Sequence, residues 1–352
     1  MFKVAVLGAS GYVGAELTQL LAAHPQIASL QLFHSGSETG SGEKQGVVPF
    51  HTFAPKARAL VAQTVAPFSV DALAADLDAV FLCTPHELSA ELAPALLQKA
   101  KVVIDLSAGF RFADAAVYPR TYKFAHPNPQ LLAQAVYGLP ELDAAGLDNA
   151  QVIGCAGCYV TASTLALAPL VQAGLLRSDV APVISAVSGV SGAGRKAALN
   201  SSFCEVSLAP YGVHNHRHQP EIEKNLGVPV VFTPHLGNFK RGILASIYTF
   251  TKQGVTAADI EGAFNKAYGG QPLVRLLGAG VYPAVQQVEQ TPFCDIGWSF
   301  DAARSQVSIF SALDNLLKGA ASQSVQCFNL RFGLPMTMGL LPTVLPASGV
   351  VA

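Results

Sequence analysis

Charge is the scarcest feature of this 352-residue chain: Asp, Glu, Lys and Arg make up 13% of it, about half the usual share of about 25%. Neither sign dominates, with 22 Lys and Arg against 23 Asp and Glu. That balance excludes a nucleic-acid partner, or an anionic membrane, held by bulk charge. Hydrophobic residues reach 51%, the reverse of a disordered composition. Two readings remain: a membrane protein, or a folded protein with part of its uncharged surface buried between subunits.

Long unbroken apolar runs are also missing. The longest charge-free stretch, 149–176, contains Gly154, Gly157, Thr161, Ser163, Thr164, Pro169 and Gln172, too polar for a spanning helix of about 20 residues. Residues 332–352 are uncharged but broken by Pro335, Pro342 and Pro346. The opening MFKVAVLGASG runs into a glycine turn without the apolar core of a signal peptide. A cytoplasmic protein is expected. Six cysteines, at 83, 155, 158, 204, 294 and 327, are too few for a disulfide scaffold. Cys155 and Cys158 form one C-x-x-C, with no second pair or H-x3-5-H at zinc-finger spacing, so no metal is expected.

What is present is an alternation of strand and helix. Apolar runs at 4–7, 29–34, 78–83 and 102–106 read as strands, with helical patterns after the first and third. Such βαβ units predict a parallel sheet with right-handed crossovers. The pattern fades over 137–151. Beyond it, 183–187, 228–233, 242–251 and 307–311 have the β-branched and aromatic bias of strands, 257–268 reads as a helix, and 314–330 is helical again. The fold class expected is α/β: an N-terminal domain of parallel βαβ units, then an α+β domain with a mixed sheet. The domain limits read as 1–152 with 314–333, then 153–313, then a proline-containing tail at 334–352.

Gly8, Gly11 and Gly14 stand between a strand and a helix. Glycines there permit a tight turn, close approach of the backbone to a pyrophosphate, and close packing of helix on strand. The helix N-terminus then offers free N–H groups to phosphate. An NAD site usually has an acid about 20 residues further on, but the count from Gly14 reaches Ser35, with Gly36, Ser37 and Lys44 nearby. Hydroxyls and a lysine accept a 2′-phosphate, so NADP is favoured over NAD, although Glu38 is close.

Cys158 sits where a helix over 162–171 is about to begin. The helix dipole favours thiolate, and a thiolate beside a nicotinamide suits attack on an acyl carbonyl followed by hydride reduction of the thioester. Most free cysteines are simply small buried hydrophobes, and Cys155 with Cys158 could instead be a dithiol redox pair. His216 and His218, at i and i+2, would point the same way if the segment is extended, and either imidazole could serve as a base. His214 could add a third ligand if the set held zinc.

Eight segments in order resemble a known family: GASGYVGAEL from Gly8, FLCTPHE from Phe81, DLSAGFR from Asp105, AGCYVTA from Ala156, SGVSGAGRKA from Ser188, HRHQPEI from His216, TPHLGNFKRGI from Thr233 and DNLLKGAA from Asp314. Together, over about residues 1–333, they are similar to N-acetyl-γ-glutamyl-phosphate reductases, relatives of aspartate-semialdehyde dehydrogenase. The resemblance implies NADPH-dependent reduction of N-acetyl-L-glutamyl 5-phosphate to the 5-semialdehyde and phosphate, in arginine biosynthesis, by a homodimer or homotetramer. It implies an N-terminal Rossmann NADP-binding domain and an α+β substrate and oligomerisation domain, with Cys158 as nucleophile and His218 as base, His216 the second choice. It places Arg111 at a substrate anion, Arg195 and Lys196 in a loop facing the site, and Asn315 near the nicotinamide. The substrate set expected is Arg111, Arg195, Lys196, His216 and Glu221. The cofactor set is Gly8, Ser10, Gly11, Tyr12, Val13, Gly14, Ser35, Thr84, Pro85, Ser188, Gly189 and Asn315. One departure stands out: the family loop reads P-G-C-Y-P-T, and here Ala156 and Val160 replace both prolines, which would loosen the nucleophile. Two alternatives stay open: reduction of another acyl phosphate such as aspartyl phosphate, or a non-catalytic NADP-binding redox sensor using Cys155 and Cys158.

Overall fold

The structure, a computed structural model, describes residues 1–34 and 46–341. Ser35, with Gly36, Ser37, Glu38 and Lys44, lies outside the described residues, as does the end of the chain from 342.

The first sheet is built from β1 (Phe2–Leu7), β2 (Ile27–His34), β3 (Val48–Pro49), β4 (Thr64–Pro67), β5 (Leu77–Leu82), β6 (Ala100–Asp105), β7 (Val136–Gly138) and β8 (Val152–Cys155). Their order is β3-β4-β2-β1-β5-β6-β8-β7, parallel except for β3. The alternation that fades in the sequence continues in space, because β7 and β8 are too short to show a period. β5 is buried at every residue, as a strand covered on both faces must be. Helices α1 (Tyr12–Ala23), α2 (His86–Leu96), α3 (Val117–Thr121) and α4 (Pro129–Gln134) belong to this half.

A central helix, α5 (Cys158–Gln172), follows β8 directly. It starts four residues earlier than the sequence reading, so Cys158 is its first residue and Gly157 its N-cap. Every residue from Tyr159 to Leu170 is buried. A helix with no charge on any face can be enclosed on all sides, and this accounts for the longest charge-free stretch without a membrane. Among the described residues no helix is long and apolar enough to cross one.

The second half comprises β9 (Val183–Gly189), β10 (Ala209–Pro210), α6 (His218–Leu226), β11 (Val231–Gly237), β12 (Ile243–Phe250), α7 (Ala257–Tyr268), β13 (Val274–Ala279), α8 (Val285–Val288), β14 (Cys294–Asp301) and β15 (Gln306–Leu313). The strands form a mixed seven-stranded sheet in the order β10-β11-β9-β12-β15-β14-β13, with β9–β11 and β13–β14 parallel and the other pairs antiparallel. Strand alternation divides its faces: Ile243, Ala245 and Ile247 of β12 enter the core with α5, while Tyr248 of the same strand is exposed.

The chain then returns to the first sheet. A π-helical turn at 317–321 leads into α9 (Ser322–Arg331), whose Phe328 ring meets Phe2 at 5.4 Å and Phe81 at 5.8 Å. Residues 334–341, read from sequence as the start of a tail, fold back on this core: the Asn329 amide donates to the carbonyls of Met336 and Met338, and Leu340 is buried.

Candidate active site

The carboxyl ends of β1, β5, β6 and β8 all open into one cleft of about 1020 Å³ that the second half closes. β1 pairs with β2 on one side and β5 on the other. The crevice beyond such a switch point is where open α/β sheets take ligands.

The glycine turn makes one wall. Gly8 has φ +85°, the left-handed region, and a Cβ on Gly14 would lie 2.2 Å from the Gly8 carbonyl oxygen. Helix α1 therefore sits hard against the end of β1. Gly11 caps it without a side-chain partner, leaving the first N–H groups for a phosphate. These features fit a dinucleotide. Tyr12, Val13, Thr84, Pro85, Ser188 and Asn315 line the same cleft, whereas Gly8, Ser10 and Gly189 do not. Gly189 instead packs on Arg241, with room for no Cβ: one would lie 2.6 Å from the Arg241 nitrogen. The Asn315 amide is fixed, accepting from Gly242 N–H at 2.6 Å and donating to Ser191 Oγ at 3.1 Å. Arg241 ties the halves together behind it, through Glu16 of α1 at 2.7 Å and Asp314 at 3.0 Å.

Cys158 lies in the cleft at the N-terminus of α5. Its loop has other anchors in place of the two prolines. Ala156 N–H donates to Gly138 at 3.1 Å and Gly157 N–H to Glu221 at 3.1 Å. Gln323 donates to the Ala156 carbonyl at 3.2 Å and accepts from Thr161 at 3.0 Å. The lowered thiol pKa expected from the dipole is not found: burial pushes the Cys158 thiol up, and Arg111, the Tyr159 N–H and Arg217 recover only part of it. Cys155 is wholly buried with its thiol engaged by Cys327, which gives a Cys155–Cys158 redox pair no support.

The histidine segment is not extended as expected. Residues 212–215 form a turn and His218 begins α6. His216 Nδ1 accepts the backbone N–H of His218 at 3.2 Å, and the two rings meet edge to face at 4.8 Å. His216 thus supports His218. His218 is buried with Nε2 3.5 Å from Arg111 Nη1 and Nδ1 without a protein partner. A guanidinium only donates, so the Nε2 beside it carries a lone pair. Burial, then His216, Arg111 and Arg217, hold the His218 pKa well below the usual histidine range, and burial brings His216 down to about 4. Both rings are neutral at pH 7. Among the described residues no cluster of His, Cys, Asp or Glu is arranged to hold a metal ion, and His214 adds none.

Arg111 lines the cleft, but each of its three nitrogens is engaged: Nε to Cys155 O at 2.9 Å, Nη2 to Leu106 O at 3.3 Å and Nη1 to Glu221 at 3.1 Å. Glu221, expected at the substrate, is wholly buried outside the cleft lining. Its carboxylate accepts from Arg111, Gly157 and, at 2.6 Å, Tyr137. Lys196 is exposed and does not line the cleft. Arg195 does line the cleft, but reaches across to the other half, donating to Phe53 O at 2.9 Å and lying 4.8 Å over the Tyr12 ring. Sequence reasoning did not single out Arg217 or Tyr211, which line the cleft, or Tyr137 behind it. Arg217 stood inside the motif HRHQPEI; the tyrosines carried no local signal.

Residues 3–150 match the family described as "Semialdehyde dehydrogenase, NAD binding domain", and 158–315 that described as "Semialdehyde dehydrogenase, dimerisation domain". The chain is 49% identical over 344 residues to an N-acetyl-gamma-glutamyl-phosphate reductase of Aeromonas salmonicida, covering 97% of this chain and all of that one. It is 50% identical over 342 residues to the reductase of the same name from Yersinia pseudotuberculosis, again covering 97% of this chain and all of the relative. Its fold is that of aspartate semialdehyde dehydrogenase II from Vibrio cholerae, solved in complex with ASA, at TM-score 0.69 and 18% identity over 94% of this chain and 98% of that one. A Candida albicans aspartate semialdehyde dehydrogenase solved with NADP aligns at TM-score 0.64 and 12% identity, over 94% and 98%. With both halves matched in order and near-half identity along almost its whole length, the chain belongs to the N-acetyl-γ-glutamyl-phosphate reductases of the semialdehyde dehydrogenase family.

Proposed function

We propose that this protein reduces N-acetyl-L-glutamyl 5-phosphate with NADPH to N-acetyl-L-glutamate 5-semialdehyde and phosphate, through a thioester on Cys158. The observation that carries the reading is that Cys158, neutral His218 and the glycine turn share one cleft. The cofactor would lie on Gly11, Tyr12, Val13 and Gly14, with Thr84, Pro85, Ser188 and Asn315 along it. Cys158 gives its proton to His218 as the sulfur–carbon bond forms and the carbon–oxygen bond to phosphate breaks. Phosphate leaves and takes a proton from solvent. When bound, NADPH supplies a hydride to the acyl carbon. The carbon–sulfur bond then breaks, the aldehyde leaves, and the proton on His218 returns to sulfur. A neutral thiol and a neutral imidazole in one cleft suit this order, because the thiol needs a base only as substrate arrives.

The matched dimerisation domain supports an oligomer, and the outward sheet face, with Val183, Val231 and Tyr248 exposed, supports a homodimer or homotetramer formed through it. A cytoplasmic location follows from the reading. Purified protein given NADP⁺, phosphate and N-acetyl-L-glutamate 5-semialdehyde is expected to form NADPH, and to do so far more slowly with aspartate semialdehyde. No turnover, or preference for the free amine, would overturn the assignment.

A further inference from the structure

Three arginines line the cleft: Arg111, Arg195 and Arg217. The first is held by two backbone carbonyls and Glu221, and the second by Phe53 and Tyr12. Arg217 differs from both. Its side chain is exposed, and among the described residues it has no hydrogen-bonding or ionic partner. It follows His216 and immediately precedes α6, so the turn that fixes His218 fixes its backbone as well. Its charge acts on Cys158, His216 and His218. Among the described residues, the one acidic side chain lining the cleft is Glu205.

We propose that Arg217 is the residue that grips an oxyanion of the acyl phosphate, its phosphoryl group or its carboxylate. This inference rests on the reductase reading above. An uncommitted guanidinium can take either group bidentately, whereas Arg111 would have to release Glu221 or a buried carbonyl to do so. Arg111 then serves to position the Cys158 loop and His218. The exposed place of Arg217 also lets it meet the ligand before the cleft is filled, when long-range attraction counts most.

The reverse reaction separates the two anions, since inorganic phosphate and the semialdehyde enter as distinct substrates. Arg217→Ala is expected to raise one of their KM values by about tenfold or more, leaving KM for NADP⁺ unchanged. A rise for phosphate assigns the phosphoryl group, and a rise for the semialdehyde assigns the carboxylate. Arg217→Lys should recover part of the loss, as a point charge without the fork. Unchanged KM for both, or a fall in kcat alone, would overturn the proposal and leave Arg217 as a field on His218. A second readout does not need turnover: phosphate or N-acetylglutamate should slow iodoacetamide labelling of Cys158 in the native protein, and lose that protection in Arg217→Ala. Protection without reductase activity would fail the activity reading while keeping Arg217. Activity with equal protection in both proteins would do the reverse.

Discussion

The Arg111 guanidinium donates through Nη1 to Glu221 Oε2 at 3.1 Å, in a pair whose side chains are 7% and 0% exposed. Neither residue needs to touch substrate for the pair to matter. Burial works against the Arg111 charge, and Glu221 restores it, while the other oxygen of Glu221 holds the N–H of Gly157, next to the nucleophile.

Removing one partner of a buried pair leaves the other uncompensated, at a cost of about 3–5 kcal/mol. Glu221→Ala should therefore lower the urea midpoint sharply and reduce kcat, while Glu221→Gln, which keeps an acceptor of the same shape, loses less of both. Urea denaturation and steady-state rates on the two variants check this. An unchanged midpoint in Glu221→Ala would mean the pair contributes no net stability.

Gly319 lies in the π-helical turn, far from Cys158 in sequence, yet a Cβ there would meet Cys158 Cβ at 2.7 Å and its Cα at 3.2 Å. Gly319→Ala should push the nucleophile aside. Overpacking of this kind costs about 1–3 kcal/mol, and a displacement on the order of 1 Å can cost about 100-fold in rate. The measurement is kcat beside NADP⁺ binding by fluorescence: kcat should fall with binding retained. A normal rate would show that the turn yields instead.

Acid stability follows from the histidines. Burial lowers the pKa of His24, His86, His126, His216 and His218 in the folded chain. The unfolded chain, with histidine near 6.5, then binds more protons below that pH, so these residues stabilise the fold above about pH 6.5 and lose that contribution as pH falls through their folded values. Each can contribute a slope of at most about 1.4 kcal/mol per pH unit. Urea midpoints from pH 7.5 to 5 should fall, and His126→Gln should flatten the decline. A midpoint that rises on acidification would contradict the burial argument.

Val160 stands in the first turn of α5, where N–H groups have no intrahelical acceptor. Val160→Pro should then keep kcat within about threefold. Ala156→Pro is the harsher change, because it deletes the Ala156 N–H bond to Gly138. Loss of activity in Val160→Pro would mean that the hydrogen bonds do not substitute for ring stiffness.

Much of this fold is legible in the sequence because its signals are local. The strand–glycine–helix start needs Gly8, Gly11 and Gly14 within seven residues, and helix α7 is visible in its own periodicity and is found at Ala257–Tyr268. β3, β4, β7, β8, β10, β13 and β14 escaped: all but the last two have four residues or fewer, too short for a period, and Cys294–Asp301 is buried along most of its length instead of alternating. In the site, the motifs brought out Cys158 and His218, but not which atoms of each arginine are already occupied. Glu221 looked like a substrate contact because it stands beside His218 in the motif HRHQPEI, and only its tertiary partners show it behind the cleft. The thiol pKa failed for the same reason, since the helix start is local and the burial that outweighs it is not.

The account turns on Cys158 as the atom that accepts the acyl group, and the most direct measurement is to supply N-acetyl-L-glutamyl 5-phosphate without NADPH. One equivalent of phosphate per active site should be released in a burst, and mass spectrometry should find the N-acetylglutamyl group on the peptide containing Cys158. Phosphate release without an adduct, or an adduct on Cys155 that survives in Cys158→Ala, would contradict it.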